Sequence, residues 1–227
     1  MEEKKYKVIY ADPPWRYRQK GLQGAAEHHY STMSIEELCQ LPVNDLADKD
    51  SVLFMWATFP QLQEALRLIK AWGFVYKTVA FVWLKKNKVA DSWFYGLGFW
   101  TRGNAEICLL ATKGKPKRES AGIHQFIISP IEQHSKKPDI ARDKIVQLMG
   151  DVPRIELFAR QVPDGWDVWG NEVPCDILME GSEDNGVCAG SEGLDESQNQ
   201  GDVQPDKETA DLLLSGSGSG TALLPAY

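Results

Sequence analysis

The sequence has little of what hydrolases, redox proteins and metalloenzymes are usually built around. It holds four cysteines, Cys39, Cys108, Cys175 and Cys188, widely spaced and with no CxxC pair. That spacing excludes a zinc ribbon or a thioredoxin-like motif. Cys39 and Cys108 sit in apolar segments, where a free thiol packs as a small hydrophobe. Of the four histidines, His28 and His29 are adjacent, and His124 and His134 have no partner at ligand spacing. No metal set is expected from them. No Ser–His or Cys–His arrangement is spaced to make a nucleophile. The chain also lacks a signal-peptide pattern, an apolar run of membrane-spanning length and an internal repeat, so it reads as a cytoplasmic protein with no membrane partner.

What is present divides into two parts. Residues 1–174 carry 24 Lys and Arg against 21 Asp and Glu, whereas residues 175–227 carry one Lys against 11 acids. The overall charge of −7 therefore conceals a mildly basic body, compatible with a polyanionic substrate, and a strongly acidic tail. The body has the apolar content, with all eight tryptophans, needed for one α/β domain. The tail is dominated by Gly, Ser, Asp and Glu, and its composition cannot offset the entropy of ordering it. The expected division is a catalytic domain over 1–174 and a disordered tail over 175–227.

Along the body, short β-branched and aromatic runs alternate with helical patterns. Strands are expected at residues 6–11, 51–57, 74–84, 106–112, 126–128 and 154–158, the central ones continuously apolar as strands buried on both faces are. Ser34 followed by Glu37 reads as a capping box opening a short helix. Pro60 begins a second helix that runs through Leu62, Ala65, Leu66, Ile69 and Trp72 and ends at Gly73. Residues 139–149 form a third. Two polar, Gly-containing stretches, 16–33 and 85–103, break the pattern and are long enough to be functional. The alternation predicts an α/β fold with a mostly parallel, doubly wound sheet.

The first strand ends in Asp12-Pro13-Pro14-Trp15. Neither proline can donate into a sheet ladder, so the strand must stop there. An acid, two stiffened peptide units and a large ring are presented together at a sheet edge, where open α/β sheets bind ligands. The exocyclic amine of adenine or cytosine is a poor nucleophile because its lone pair is delocalised into the ring. Two acceptors aimed at its N–H bonds return density to the nitrogen: the Asp12 carboxylate is one, and the Pro13 carbonyl, fixed in direction by its ring, is a second. Trp15 offers a face for stacking the base. An ordinary strand-ending turn has the same composition, so the tetrapeptide needs companions.

Those companions exist, and with them the chain resembles a known family: the adenine-N6 methyltransferases that include the eukaryotic messenger-RNA methylating subunit and short phage and bacterial DNA-modifying relatives. The resemblance spans nearly all of residues 6–174. It rests on Ala11-Asp12-Pro13-Pro14-Trp15, Tyr30-Ser31-Thr32-Met33, Leu53-Phe54-Met55-Trp56, Trp83-Leu84-Lys85, Glu106-Ile107-Cys108-Leu109, the stretch from His134 to Asp139, the stretch from Arg154 to Arg160, and Trp169-Gly170-Asn171-Glu172, in the family's order. It implies a Rossmann-like class I fold, dependent on S-adenosyl-L-methionine, with a permuted sheet whose catalytic strand comes first and cofactor strand last. It further implies a catalytic loop of Asp12, Pro13, Pro14 and Trp15. Tyr30, Trp83, Lys85, Arg102 and Glu106 are expected near the target base. Asp12, Lys137, Glu156, Arg160, Asn171 and Glu172 are expected on the cofactor, with Lys137 reaching its methionine carboxylate and Glu156 its ribose. The chain departs from the family's larger members at Gln161-Val162-Pro163, where they carry polar residues after the last strand's arginine.

A base paired in a duplex cannot reach such a pocket and must be flipped out or met in a single strand. The stretches 16–33 and 85–103 are the natural clamps, with Arg16, Arg18, Lys20, Lys85, Lys86, Lys88 and Arg102 for phosphates. Trp93, Phe94, Tyr95 and Trp100 suit unstacked bases. DNA is the expected polymer, RNA the second reading, and a non-catalytic scaffold subunit the alternative from another class. A protein partner or a homodimer is a further expectation. An intact Asp12-Pro13-Pro14-Trp15 weighs against the scaffold.

Overall fold

The computed structural model describes residues 4–16, 32–98, 100–132 and 135–179. Tyr30, His28, His29, His134, Arg18, Lys20 and the chain beyond Met179 lie outside that set, and so do the expectations that rest on them.

Seven strands form one sheet: β1 (Tyr6–Ala11), β2 (Ala47–Ala57), β3 (Val75–Lys86), β4 (Ala105–Lys113), β5 (Phe126–Pro130), β6 (Arg154–Leu157) and β7 (Asp167–Trp169). Their order across the sheet is β5-β3-β4-β2-β1-β6-β7. β1 lies parallel to both β2 and β6, β6 parallel to β7, and β3 parallel to β5. Only β4 runs against its neighbours, antiparallel to β2 and to β3. The sheet is therefore mostly parallel, as expected, with one reversed strand. The reversal follows from the connection: among the described residues no helix separates β3 from β4, and without a crossover the chain can only turn back.

Period-two alternation sends successive side chains to opposite faces. Ile9, Ala11, Leu53, Met55, Ala57, Leu109, Ile155 and Leu157 join one core cluster, whereas Val8, Tyr10, Val52, Phe54, Trp56, Phe81 and Trp83 join another. Helices α1 (Ile35–Gln40) and α3 (Leu62–Ala71) bury Leu38, Ala65, Leu68 and Ile69 on the first face. Helix α4 (Ile140–Met149) buries Ala141, Ile145 and Met149 on the second. This two-sided cover is why β1 and β2 read as nearly unbroken apolar runs.

The local signals operate as the residues suggest. Ser34 accepts from the Glu37 N–H at 3.2 Å, and Glu37 accepts from the Ser34 N–H at 2.6 Å, a closed capping box. Gly73 closes the turn after α3 with φ +81°, a conformation that costs glycine little. A short helix α2 (Val43–Leu46) and strand β7 were not evident in the sequence pattern. The packed body also continues past the expected boundary at residue 174. The Asp176 N–H donates to the Val168 carbonyl at 2.9 Å, Asp176 Oδ2 accepts from the Val168 N–H at 2.8 Å, and Met179 is buried. No helix among the described residues is long and apolar enough to cross a membrane.

Candidate active site

Every strand edge that matters for chemistry meets at one place. Asp12 follows β1, Ala57 ends β2 and Thr58 follows it, Phe158, Ala159 and Arg160 follow β6, and Asn171 and Glu172 follow β7. All of them line a single pocket. These are the carboxyl ends of parallel strands, where open α/β sheets place ligands. Because β4 runs the other way, its first residues arrive at the same edge and bring Glu106. Ser135 and Lys137 reach in from the segment before α4.

The Asp12 loop is held from several sides. The Trp15 N–H donates to the Pro13 carbonyl at 2.8 Å, and the Met33 N–H donates to the Pro14 carbonyl at 2.9 Å. Trp15 and Met33 form a parallel bridge. A carbonyl has two lone pairs, so Pro13 retains capacity for one further donor. Trp15 is only 7% exposed, and its indole N–H donates to the Trp56 carbonyl at 3.3 Å. It lines the pocket while belonging to the core, so its stacking face is a narrow one.

Charges alternate across the pocket's Asp12 end. Lys137 Nζ lies 2.7 Å from Asp12 Oδ2 and 3.3 Å from Glu106 Oε2, and it also donates to the Ser135 carbonyl at 3.2 Å. Glu106 pairs in addition with Lys85, whose ammonium stands 4.8 Å from the Trp83 ring centre. Burial pushes the Asp12 carboxyl above its ordinary value, against the pull of Lys137 and with Glu106 adding to the rise. Burial works in the same direction on Glu106, but Lys137 and Lys85 together outweigh it and hold that carboxyl low. Lys137 is held above the usual lysine value because Asp12 and Glu106 overcome the cost of burying its charge. At the opposite end, Arg160 Nε donates to Glu172 Oε1 at 2.8 Å, with both side chains about half exposed.

The structure brings together most of the expected residues and separates a few. Asp12, Pro13, Pro14, Trp15, Glu106, Lys137, Arg160, Asn171 and Glu172 line one pocket. Lys85 stands behind Glu106 as its partner. Trp83 is buried, with its indole N–H donating to the Ser129 carbonyl at 3.3 Å, and so serves the core. Arg102 is exposed and outside the pocket lining.

Glu156 is not among the lining residues either. It points to the α4 face, where Arg142 Nε meets Oε2 at 2.6 Å and Nη2 meets Oε1 at 2.8 Å. Each of its oxygens thus accepts one N–H of a bidentate guanidinium on the α4 side. Burial lifts the Glu156 carboxyl despite Arg142, and the carboxylate keeps Arg142 firmly charged.

Sequence reasoning missed Thr58, Ser135 and Phe158. The last two adopt positive φ, +60° and +61°, the only non-glycine residues to do so among those described. A bulky side chain at positive φ is held there by its surroundings, and such strain collects at functional sites. No residue type signals it in advance. A glycine does mark the place: a Cβ on Gly170 would stand 2.3 Å from the Ala159 carbonyl oxygen and 2.6 Å from the Ala159 nitrogen. The β7 exit must pass flush against the pocket wall.

The donor set suits a zwitterionic ligand with a sugar. A cation and two carboxylates at one end match an amino-acid head, and an Arg, an Asn and a Glu at the other match hydroxyls and ring nitrogens. Among the described residues no cluster of His, Cys, Asp or Glu fit to hold a metal ion occurs.

Residues 6–172 match the MT-A70 family. The chain is 37% identical over 194 residues to the type II methyltransferase M.MunI of a Mycoplasma species, covering 77% of this chain and 80% of that protein. It is 30% identical over 173 residues to the N(6)-adenosine-methyltransferase MT-A70-like protein of Drosophila melanogaster, and 29% identical to the N(6)-adenosine-methyltransferase catalytic subunit METTL3 of Homo sapiens. Each of those two alignments covers 74% of this chain, but only 27% and 28% of the relatives' own length. With the pocket built from that same span of residues, the chain belongs to the MT-A70 family of S-adenosyl-L-methionine-dependent adenine-N6 methyltransferases.

Proposed function

We propose that this protein methylates the N6 amine of adenine in DNA, with Asp12 and the Pro13 carbonyl as the pair that receives the amine. The observation that carries the reading is the convergence of Asp12, Lys137 and Glu106 at the pocket end where β1 stops. S-adenosyl-L-methionine supplies an electrophilic methyl group on a sulfonium. Lys137 would hold its carboxylate, and Arg160, Asn171 and Glu172 its ribose and adenine side. Asp12, ionised, accepts one N–H of the adenine amine, and the remaining lone pair of Pro13 accepts the other. This holds the nitrogen lone pair out of ring conjugation and stabilises the positive charge that develops there. As N6 takes the methyl carbon, the S–C bond would break to leave the neutral thioether, and the extra N6 proton would pass by way of Asp12 to solvent. Glu106 stands between Lys137 and Lys85 and fixes both. Glu156 acts through Arg142 as a buried counter-ion beneath the cofactor wall. The fold is read as a permuted class I arrangement, with β1 the catalytic strand and β6 the cofactor strand, in a cytoplasmic protein.

DNA is favoured because the chain matches four-fifths of the type II methyltransferase but little more than a quarter of the adenosine methyltransferases. RNA is the second reading, supported by the 29–30% identity to those latter proteins. The test is to incubate the protein with methyl-labelled S-adenosyl-L-methionine and unmodified DNA or RNA separately, then digest to nucleosides. Label in N6-methyladenine from DNA is expected. Label from RNA alone would move the assignment to the second reading, and label in cytosine would overturn the choice of base.

A further inference from the structure

Five of the fourteen large apolar side chains exposed among the described residues lie in one connection, residues 87–104 between β3 and β4. Val89 and Trp100 are fully exposed, Leu97 is 80% exposed, Tyr95 63% and Trp93 42%. Single exposed hydrophobes are ordinary, but such a concentration in a mostly polar surface marks a contact site.

The connection is a built structure. Lys86 and Trp93 form an antiparallel bridge, and the Asn87 N–H donates to the Ser92 carbonyl at 3.0 Å. The Asn87 amide donates to Ser92 Oγ at 2.9 Å and to the Trp93 carbonyl at 3.2 Å. Lys86 pairs with Asp91 and stands 5.8 Å from the Trp93 ring centre. Further out, the Gly96 N–H donates to the Gly103 carbonyl at 2.7 Å, and a Cβ at Gly98 would meet the Thr101 carbonyl oxygen at 2.0 Å. With these contacts in place, Tyr95 and Trp100 stand exposed to solvent.

The base of this hairpin adjoins the Asp12 end of the pocket. Lys85 and Glu106, one at each side of its root, form the ion pair that continues to Lys137 and Asp12. Of the four cations in residues 85–103, Lys85 pairs with Glu106 and Lys86 with Asp91, while Lys88 and Arg102 are exposed. Aromatic rings among cations fit a polynucleotide: the rings stack on bases of any sequence and the cations neutralise phosphates. An apolar protein partner would bury the Lys88 and Arg102 charges without compensation.

Resting on the methyltransferase reading of the pocket, we propose that the 87–104 hairpin is the strand-opening element, with Tyr95 and Trp100 stacking on the bases that flank the flipped adenine. Taking a base out of a duplex leaves its neighbours without a stacking partner, and exposed rings on a hairpin rooted beside the pocket would replace it.

The test uses the full chain with Tyr95→Ala, Trp100→Ala and the double substitution, and Trp100→Phe as the conservative control. Binding to a fluorescein-labelled duplex oligonucleotide is read by anisotropy, and binding to S-adenosyl-L-methionine by calorimetry. Each alanine is expected to weaken DNA binding by about tenfold, the double variant by more, with cofactor affinity within about twofold of wild type and Trp100→Phe restoring most of the loss. Unchanged DNA affinity in the double variant would overturn the proposal. So would a shift in oligomeric state on sedimentation, which would make the hairpin a protein interface. Wild-type protein that transfers methyl to neither polymer would instead defeat the reading of the pocket itself.

Discussion

Lys137 is shared between Asp12 and Glu106, with its ammonium 2.7 Å from an oxygen of the first and 3.3 Å from an oxygen of the second. One cation thus sets the charge of the carboxylate that must receive an amine, and a second carboxylate competes for it.

That competition predicts opposite pH behaviour for two substitutions. Asp12 must be ionised to accept an N–H, so the rate falls on the acid side as the carboxyl protonates. Burial and Glu106 raise its pKa, and Lys137 lowers it. Lys137→Met removes the lowering influence, so the acid limb of single-turnover methyl transfer moves to higher pH. Glu106→Gln removes one of the raising influences and moves the limb to lower pH. Two shifts in the same direction would contradict the shared-lysine arrangement.

The Arg142–Glu156 pair predicts a stability effect separable from the chemistry. Both side chains are largely buried, 11% and 9% exposed. Arg142→Leu strands a buried carboxylate and should cost about 3–5 kcal/mol in urea unfolding. Adding Glu156→Leu should recover most of that cost, because a packed apolar pair avoids desolvating two charges. Since Glu156 does not line the pocket, the double variant should keep its cofactor affinity within a few-fold. A large loss in a well-folded double variant would return Glu156 to direct contact with the ribose.

Gly170 predicts a coupled effect. A Cβ there collides with the Ala159 backbone, which is part of the pocket wall. Gly170→Ala should cost about 1–3 kcal/mol of stability and raise the KM for S-adenosyl-L-methionine more than it lowers kcat. Nucleotide-independent cofactor binding by calorimetry checks this, and unaltered affinity would mean the wall yields without consequence.

How far the residues announced this arrangement depends on what each signal measures. The end of β1 was legible because two prolines forbid further pairing, and the capping box at Ser34 and Glu37 was legible because its partners are three residues apart. The strands of the core were legible as unbroken apolar runs. The direction of β4 was not, because an apolar run reports burial on two faces and carries no information about polarity. Its reversal is what delivers Glu106 to the pocket. Glu156, expected at the ribose by resemblance, lies within β6 with its carboxylate on Arg142 of α4, a pairing that no local pattern in the sequence announces. Phe158 and Ser135 were invisible because positive φ at such residues is imposed by the surrounding fold. Cys175, Ile177 and Met179 were assigned to the tail on composition averaged over its whole length, which masks a few apolar residues at its start.

The account stands most directly on Asp12. Single-turnover methyl transfer to unmodified DNA should be measured for wild type and Asp12→Ala, with cofactor binding and thermal unfolding followed in parallel. The arrangement predicts that Asp12→Ala folds but transfers methyl to adenine at least about a thousandfold more slowly, an order set by losing a preorganised group at the reacting atom. An Asp12→Ala protein that methylates adenine at the wild-type rate would contradict it.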